Sequence, residues 1–292
     1  GVLHGFQDRG HNLPGFDAYI VTSVPLGAGL SSSAALECAL ATLLEGLLDT
    51  VLDTKEKAVL CQKAEHDFAG VPCGIMDQYA SAFGQKNHLI LIDCQSGEPD
   101  LVPFENPDLT VLIANTCVHH ELTDGGYAAR RTHTEQALKM LGKPSWRDVS
   151  IADIEAAWDQ LGDPINRRAR HVVSEIARTQ QAAKALENAE FTRLGQLMAA
   201  SHASLRDDYE VSCKELDVMV EIADAIGPDG GVIGSRMTGG GFGGSTVTLC
   251  DSDRAQEIAT TMSKKYTEAT GIEPEIFASR PAQGAHLIGQ LP

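Results

Sequence analysis

Two glycine-rich stretches and two separate carboxylates are the residues of this chain whose types and spacing could do chemistry. The first stretch is Gly27-Ala28-Gly29-Leu30-Ser31-Ser32-Ser33. Glycines let the backbone approach an anion, and successive N–H groups at a helix start point towards it with the helix dipole behind them. A serine hydroxyl could add a ligand to a magnesium ion that bridges phosphates. No Lys follows the glycines and the GxGxxG spacing fails, so neither of the two common nucleotide-loop patterns applies. A Gly-rich turn with a serine N-cap would have the same composition. If the loop does hold phosphate, its charge compensation must come from a metal and from residues elsewhere.

The second stretch, Thr238-Gly239-Gly240-Gly241-Phe242-Gly243-Gly244, carries five glycines in seven residues. One or two suffice for a hairpin, so this density points to close backbone approach to a ligand or to the first loop, with a structural bulge as the alternative. Between the two loops stand Glu65, in a helical pattern, and Asp77, between Ile75-Met76 and Gln78-Tyr79. A lone Glu on a helix is most simply a solvated surface group. Asp77 has an apolar setting just past a Pro-Cys-Gly turn; partial burial would oblige it to find a partner, which makes it a site candidate.

The elements that must position these groups follow from pattern. Residues 16–24 are rich in β-branched and aromatic types and predict a strand that ends at Pro25. Residues 34–48 are apolar on nearly every face, as in a buried helix. A second helix is expected over 55–69 and strands over 88–94 and 109–115, with Pro99, Pro103 and Pro107 marking a connection. Amphipathic helical patterns then run over 124–141, 171–188, 190–206 and 214–226. A strand at 245–250, a helix at 253–269 and a strand near 275–279 close the chain. The mixture reads as α+β in two lobes, 1–108 and 109–292. The basic run Arg167-Arg168-Ala169-Arg170 is either a solvated helix start or an internal ion-pair site, and Trp146 and Trp158 are packing anchors.

Composition narrows the partners. The 292 residues hold 23 Lys+Arg against 40 Asp+Glu, a net charge of −17, which argues against nucleic acid and anionic membranes, since both need clustered cations. Phosphate chemistry stays open, because backbone N–H groups and a metal can hold a phosphate. The 7 cysteines are scattered without a CxxC pair, as expected of reduced thiols in a cytoplasmic protein. No apolar run long enough to span a membrane and no signal-peptide pattern is visible.

Taken together, these stretches resemble the galactokinase branch of the GHMP kinases. The segment from Pro25 to Glu37 is similar to that family's phosphate loop, Cys73-Gly74-Ile75-Met76-Asp77-Gln78 to a stretch particular to galactokinases, and Arg236 to Gly244 to the third motif, with Ser245 where many members have Cys. Gly126-Tyr127-Ala128-Ala129-Arg130-Arg131 and the run from Ser201 to Tyr209 extend the likeness over essentially the whole chain. The resemblance implies a two-lobed GHMP kinase fold, with an N-terminal lobe like ribosomal S5 domain 2, shortened at its start, and a ferredoxin-like C-terminal lobe. It implies transfer of the ATP γ-phosphoryl group to the C1 hydroxyl of α-D-galactose, with Mg²⁺ as cofactor. The backbone from Gly27 to Ser33 would cradle the phosphates, Ser33 and Glu65 would hold the metal, and Asp77 would be the base. Tyr127 and the backbone at Gly74 would contact the sugar, and Gly239, Gly240 and Gly241 would line the cleft.

One part of the family pattern is not found. Galactokinases carry an Arg-Val-Asn-Leu-Ile-Gly-Glu-His-Thr-Asp-Tyr-like segment before the phosphate loop, which supplies an arginine beside the base and several sugar contacts. On that ground the 292 residues are expected to be weakly active or inactive alone. Other expectations compatible with the motifs are a kinase of a related sugar such as N-acetylgalactosamine, and a silent sugar- and ATP-binding regulator.

Overall fold

The computed structural model describes residues 1–25, 29–71, 73–119 and 126–289, with His119 and Tyr127 through their backbone only. It divides into two units, Gly1–Glu105 with Arg280–Pro292, and Asn106–Ser279.

The first unit consists of α1 (Val2–Asp8), α2 (Ser32–Leu47), α3 (Thr54–Ala64), a π-helical turn at Glu65–Ala69, α4 (Met76–Phe83) and the antiparallel hairpin of β1 (His88–Asp93) and β2 (Glu98–Pro103). Asp53 caps α3 by accepting from the Lys55 and Glu56 N–H groups. Val2 and Phe6 of α1, Cys38, Ala41 and Leu44 of α2, and Leu60, Cys61 and Ala64 of α3 form one apolar core. Nearly all-round apolarity does not bury every side of α2, since Leu36 is exposed. Pro99 and Pro103 lie inside β2 rather than in a connection. Each strand of a two-stranded hairpin is an edge, where a missing N–H can face outward without breaking the ladder.

Residues 16–24 form no strand; Tyr19 is 93% exposed and Val21 79%. Strand preference is a preference for packing on a pleated surface, and none of the described strands pairs with this segment. The chain end also departs from the expected two-lobe split. From Arg280 it returns to the first unit, where the Gly284 N–H donates to Gly84 O at 2.7 Å and the Ala285 N–H to Ser81 O at 2.8 Å. A Cβ at Gly284 would stand 2.8 Å from the Ser81 carbonyl oxygen, so only glycine allows that backbone approach.

The second unit holds β3 (Leu109–His119), α5 (Gly126–Met140), α6 (Ile151–Ala156), α7 (Trp158–Leu161), α8 (Ile165–Glu187), α9 (Phe191–Asp207), α10 (Lys214–Ile226), β4 (Val232–Met237), β5 (Gly243–Asp251), α11 (Ala255–Thr270) and β6 (Glu275–Ser279). The strands form an antiparallel sheet in the order β4-β5-β3-β6. Leu112 and Cys250 of the sheet pack on Met219 and Ala223 of α10 and on Ile258, Met262 and Tyr266 of α11. The α8 pattern starts earlier than its periodicity implied, and Trp146 and Trp158 pack against a helical core that includes Ala169 and Val173. A Cβ at Gly195 of α9 would lie 1.9 Å from the Ile233 carbonyl oxygen of β4, so glycine there sets how closely helix and sheet approach.

Candidate active site

Two of the loop's three serines leave their local backbone and reach carboxylates far away in sequence. Ser31 sits at the N-cap of α2 in the left-handed region, with φ 51° and ψ 55°, a conformation that costs a non-glycine residue about 1–3 kcal/mol. Its hydroxyl caps no helix N–H but donates to Asp77 Oδ2. The Ser33 hydroxyl, on the first turn of α2, donates to Glu65 Oε1 at 2.8 Å. The start of α2 therefore has neither a side-chain cap nor an acidic residue in its first turn, so its N–H groups and dipole remain available to an anion. Gly29, at φ 69°, makes the turn into it. Gly27 and Ala28 lie outside the described residues.

Glu65 is not the solvated helix residue that pattern alone suggested. Only 9% of it is exposed, at the point where α3 widens into the π-helical turn. π-turns insert one residue into the helical ladder and recur where a side chain must be re-aimed. The same turn presents His66, whose Nε2 is 2.8 Å from Cys73 O, while Gln62 Nε2 donates to that oxygen at 3.2 Å. These two contacts hold the Cys73 turn, beyond which Gly74 is exposed, and a Cβ there would meet nothing within 4 Å. Asp77 follows on the first turn of α4, half-buried, where the helix N-terminus favours a carboxylate.

Two further residues complete the cluster, and no role was assigned to either from sequence. Gln78 Nε2 donates to Glu65 Oε2 at 3.0 Å and to Glu37 Oε2 at 3.2 Å. Burial pushes the Glu37 carboxyl up to about 7; the Gln78 amide pulls it down and the nearby Glu65 charge pushes it up. A signal for Glu37 existed, since it stands four residues after Ser33 on one helix and so shares its face. Among the described residues, none of Glu37, Glu65 and Asp77 is ion-paired with Lys or Arg.

This donor set fits Mg²⁺. Ser33 Oγ and Glu65 Oε1 are hard oxygens side by side, in a cluster of carboxylates that no Lys or Arg pairs with among the described residues. Among the described residues no group of three or more His, Cys, Asp or Glu is arranged as a metal cage.

The remaining expected residues lie in the second unit. Tyr127 stands on α5, with its side chain outside the described residues. Gly239 and Gly240 are exposed. Gly241 has a structural requirement of its own: φ is 90°, and a Cβ would lie 2.2 Å from the Val211 carbonyl oxygen. Part of the glycine density is thus close backbone packing. Phe242 beside it lies 5.3 Å from the Arg130 guanidinium, which also donates to Tyr209 O at 3.0 Å. No described helix is long and apolar enough to cross a membrane.

Known proteins resemble this chain in sequence and in fold. The profile of the GHMP kinases N terminal domain matches residues 1–85, and that of the GHMP kinases C terminal region matches residues 182–268. Human galactokinase is 50% identical over 276 residues, which are 94% of this chain and 69% of the human protein. The galactokinase of Bos taurus is 49% identical with the same coverage. Lactococcus lactis galactokinase, whose crystal structure was solved with galactose, superposes with a TM-score of 0.89 at 33% identity, over all of this chain and 75% of that one. On this likeness in sequence and fold, the chain belongs to the galactokinase family of GHMP sugar kinases.

Proposed function

We propose that this chain transfers the γ-phosphoryl group of ATP to the C1 hydroxyl of α-D-galactose, giving galactose 1-phosphate and ADP. The observation that carries the reading is the paired arrangement at the start of α2, with Ser31 on Asp77 and Ser33 on Glu65. One helix start thereby joins an open N-terminus for phosphate to a base and to a metal-ligand pair. Asp77 accepts the proton of the C1 hydroxyl, and Ser31 holds its carboxylate until substrate arrives. Backbone N–H groups from Gly27 to Ser33 cradle the phosphates, and Ser33 and Glu65 hold Mg²⁺. When bound, Mg²⁺ neutralises charge on the phosphate oxygens. Gly74, held out by Gln62 and His66, offers its backbone to the sugar, with Tyr127 as a further sugar contact and Gly239, Gly240 and Gly241 as cleft-lining residues. Phosphoryl transfer asks the protein mainly for positioning and electrostatics, because its transition state is loose.

The test is ADP release with and without galactose, with ³¹P NMR of the product. Galactose-dependent ADP formation at a low rate and an anomeric phosphate signal, both lost in Asp77→Asn, are expected. ADP release indifferent to galactose overturns the reading.

A further inference from the structure

Gln78 is wholly buried and follows Asp77 on α4, yet the chemistry above gives it no task. Its amide nitrogen lies between two carboxylates, 3.0 Å from Glu65 Oε2 and 3.2 Å from Glu37 Oε2. The two amide protons serve these carboxylates, with Cys73 Sγ a longer third contact at 3.9 Å. Glu65 is then held at both oxygens, since Ser33 Oγ donates to Oε1 at 2.8 Å. A carboxylate held at both oxygens cannot rotate without losing one of these bonds, so its remaining lone pairs keep a fixed direction. The amide is oriented as well, because a flipped amide would point Oε1 at two acceptors.

Building on the metal role proposed for Glu65, we propose that Gln78 is the positioning residue that fixes the Glu65 carboxylate for the divalent cation. Glu37 is the second acceptor, which locks the Gln78 amide in place. Gln78 itself touches neither the cation nor the reacting atoms. A purely packing role does not account for it: Gln78 Oε1 is buried without a partner, a penalty that Leu or Met would avoid at the same volume. The position next to Asp77 matters too. One turn of α4 brings Asp77 to Ser31 and Gln78 to Glu65, so the base and the metal ligand are set by the same piece of backbone.

Mn²⁺ serves as the spectroscopic probe, titrated into the protein with a non-hydrolysable ATP analogue and followed by electron paramagnetic resonance. Gln78→Leu keeps the volume and removes the donor. It should weaken Mn²⁺ binding by about 10-fold or more, as when the hydrogen-bond partner of a metal ligand is removed, while metal-free nucleotide affinity stays within about twofold. A folded Gln78→Leu protein with parental Mn²⁺ affinity overturns the proposal and leaves the metal assignment standing. A parent chain that binds no Mn²⁺ with the analogue overturns both. If the Leu variant does not fold, the parent decides: the Gln78 side-chain amide signal should be broadened by Mn²⁺ and shifted by Mg²⁺. A signal that neither ion moves overturns the proposal.

Discussion

Two polar networks, one in each unit, follow opposite plans, although the first unit also buries the Lys57–Glu45 ion pair at 2.6 Å. In the first, among the described residues, Glu37, Glu65 and Asp77 gather around the neutral donors Ser31, Ser33 and Gln78. In the second, charges meet opposite charges. Arg167 bridges Asp163 and Glu210, both at 2.6 Å; the buried Arg168 also reaches Glu210, and Arg170 pairs with Asp208. This is the internal ion-pair site that the basic run allowed. Burial holds both of its histidines, His171 and His202, below their ordinary pKa; Ser204 donates to Asp208 and so accepts from His171 Nδ1 at 3.0 Å. Likewise His202 Nδ1 accepts the Met237 N–H at 3.3 Å, which leaves its proton on Nε2, facing Asp217 Oδ1 at 3.2 Å. A network that is charge-matched within itself holds a fold together. One left with uncompensated acidic charge keeps capacity for a cation and for a proton, which is what a kinase site requires.

Four measurements would break or sharpen that contrast. The largest effect is expected at the base. Asp77→Asn should lower galactose-dependent ADP formation by about 10²–10⁴-fold and leave the thermal midpoint near that of the parent. A large loss of stability instead would place Asp77 among structural groups. Next, Glu210→Gln leaves the buried Arg168 without its carboxylate. Urea unfolding should show a loss of about 2–3 kcal/mol, below the usual figure for a broken buried pair because Glu210 itself is 45% exposed. Affinity for nucleotide should not change, and a change there would end the division of labour between the networks.

The two networks should also respond to pH with opposite signs. Burial pushes His171 down to about 4 from 6.5, so it stays neutral in the fold while the unfolded chain takes up a proton. Stability from this group is complete above pH 6.5 and is lost as pH falls towards 4, by up to roughly 3 kcal/mol. His171→Gln should flatten that acid limb in denaturant titrations at successive pH values; an unchanged limb would count against it. Glu37 runs the other way. Its folded value of about 7 lies above the ordinary 4.5, so the fold holds a proton the unfolded chain has released, and stability falls as pH rises from 4.5 to 7. Partial exposure discounts this to about 1–2 kcal/mol. Glu37→Gln should therefore melt higher than the parent at pH 8 and alike at pH 4, and equal melting at both would remove Glu37 from the buried cluster.

Much of the scaffold was legible from local pattern. The helices at 214–226 and 253–269 and the strand at 245–250 stand within a residue or two of α10, α11 and β5, because periodicity records which face packs. The segment 16–24 shows where that reading fails: its composition suits a strand, yet strand formation depends on a neighbour supplied from elsewhere in the chain. α4 escaped notice because its 8 residues are too short to show a period. The prolines of β2 misled because the edge status that tolerates them is a property of the sheet.

The chemical groups were determined by the sequence alone: an anion loop without Lys, hydroxyls beside glycines, Asp77 in apolar company, and a family likeness that implied a ligand role for Glu65. Tertiary structure decided that Glu65 is buried, that Ser31 turns from capping α2 to hold Asp77, and that Gln78 joins Glu65 to Glu37. The partners in these contacts are separated by 46, 13 and 41 positions. Helical or strand periodicity relates residues only a few positions apart, so such contacts come into being only when α2, the π-helical turn and α4 pack together.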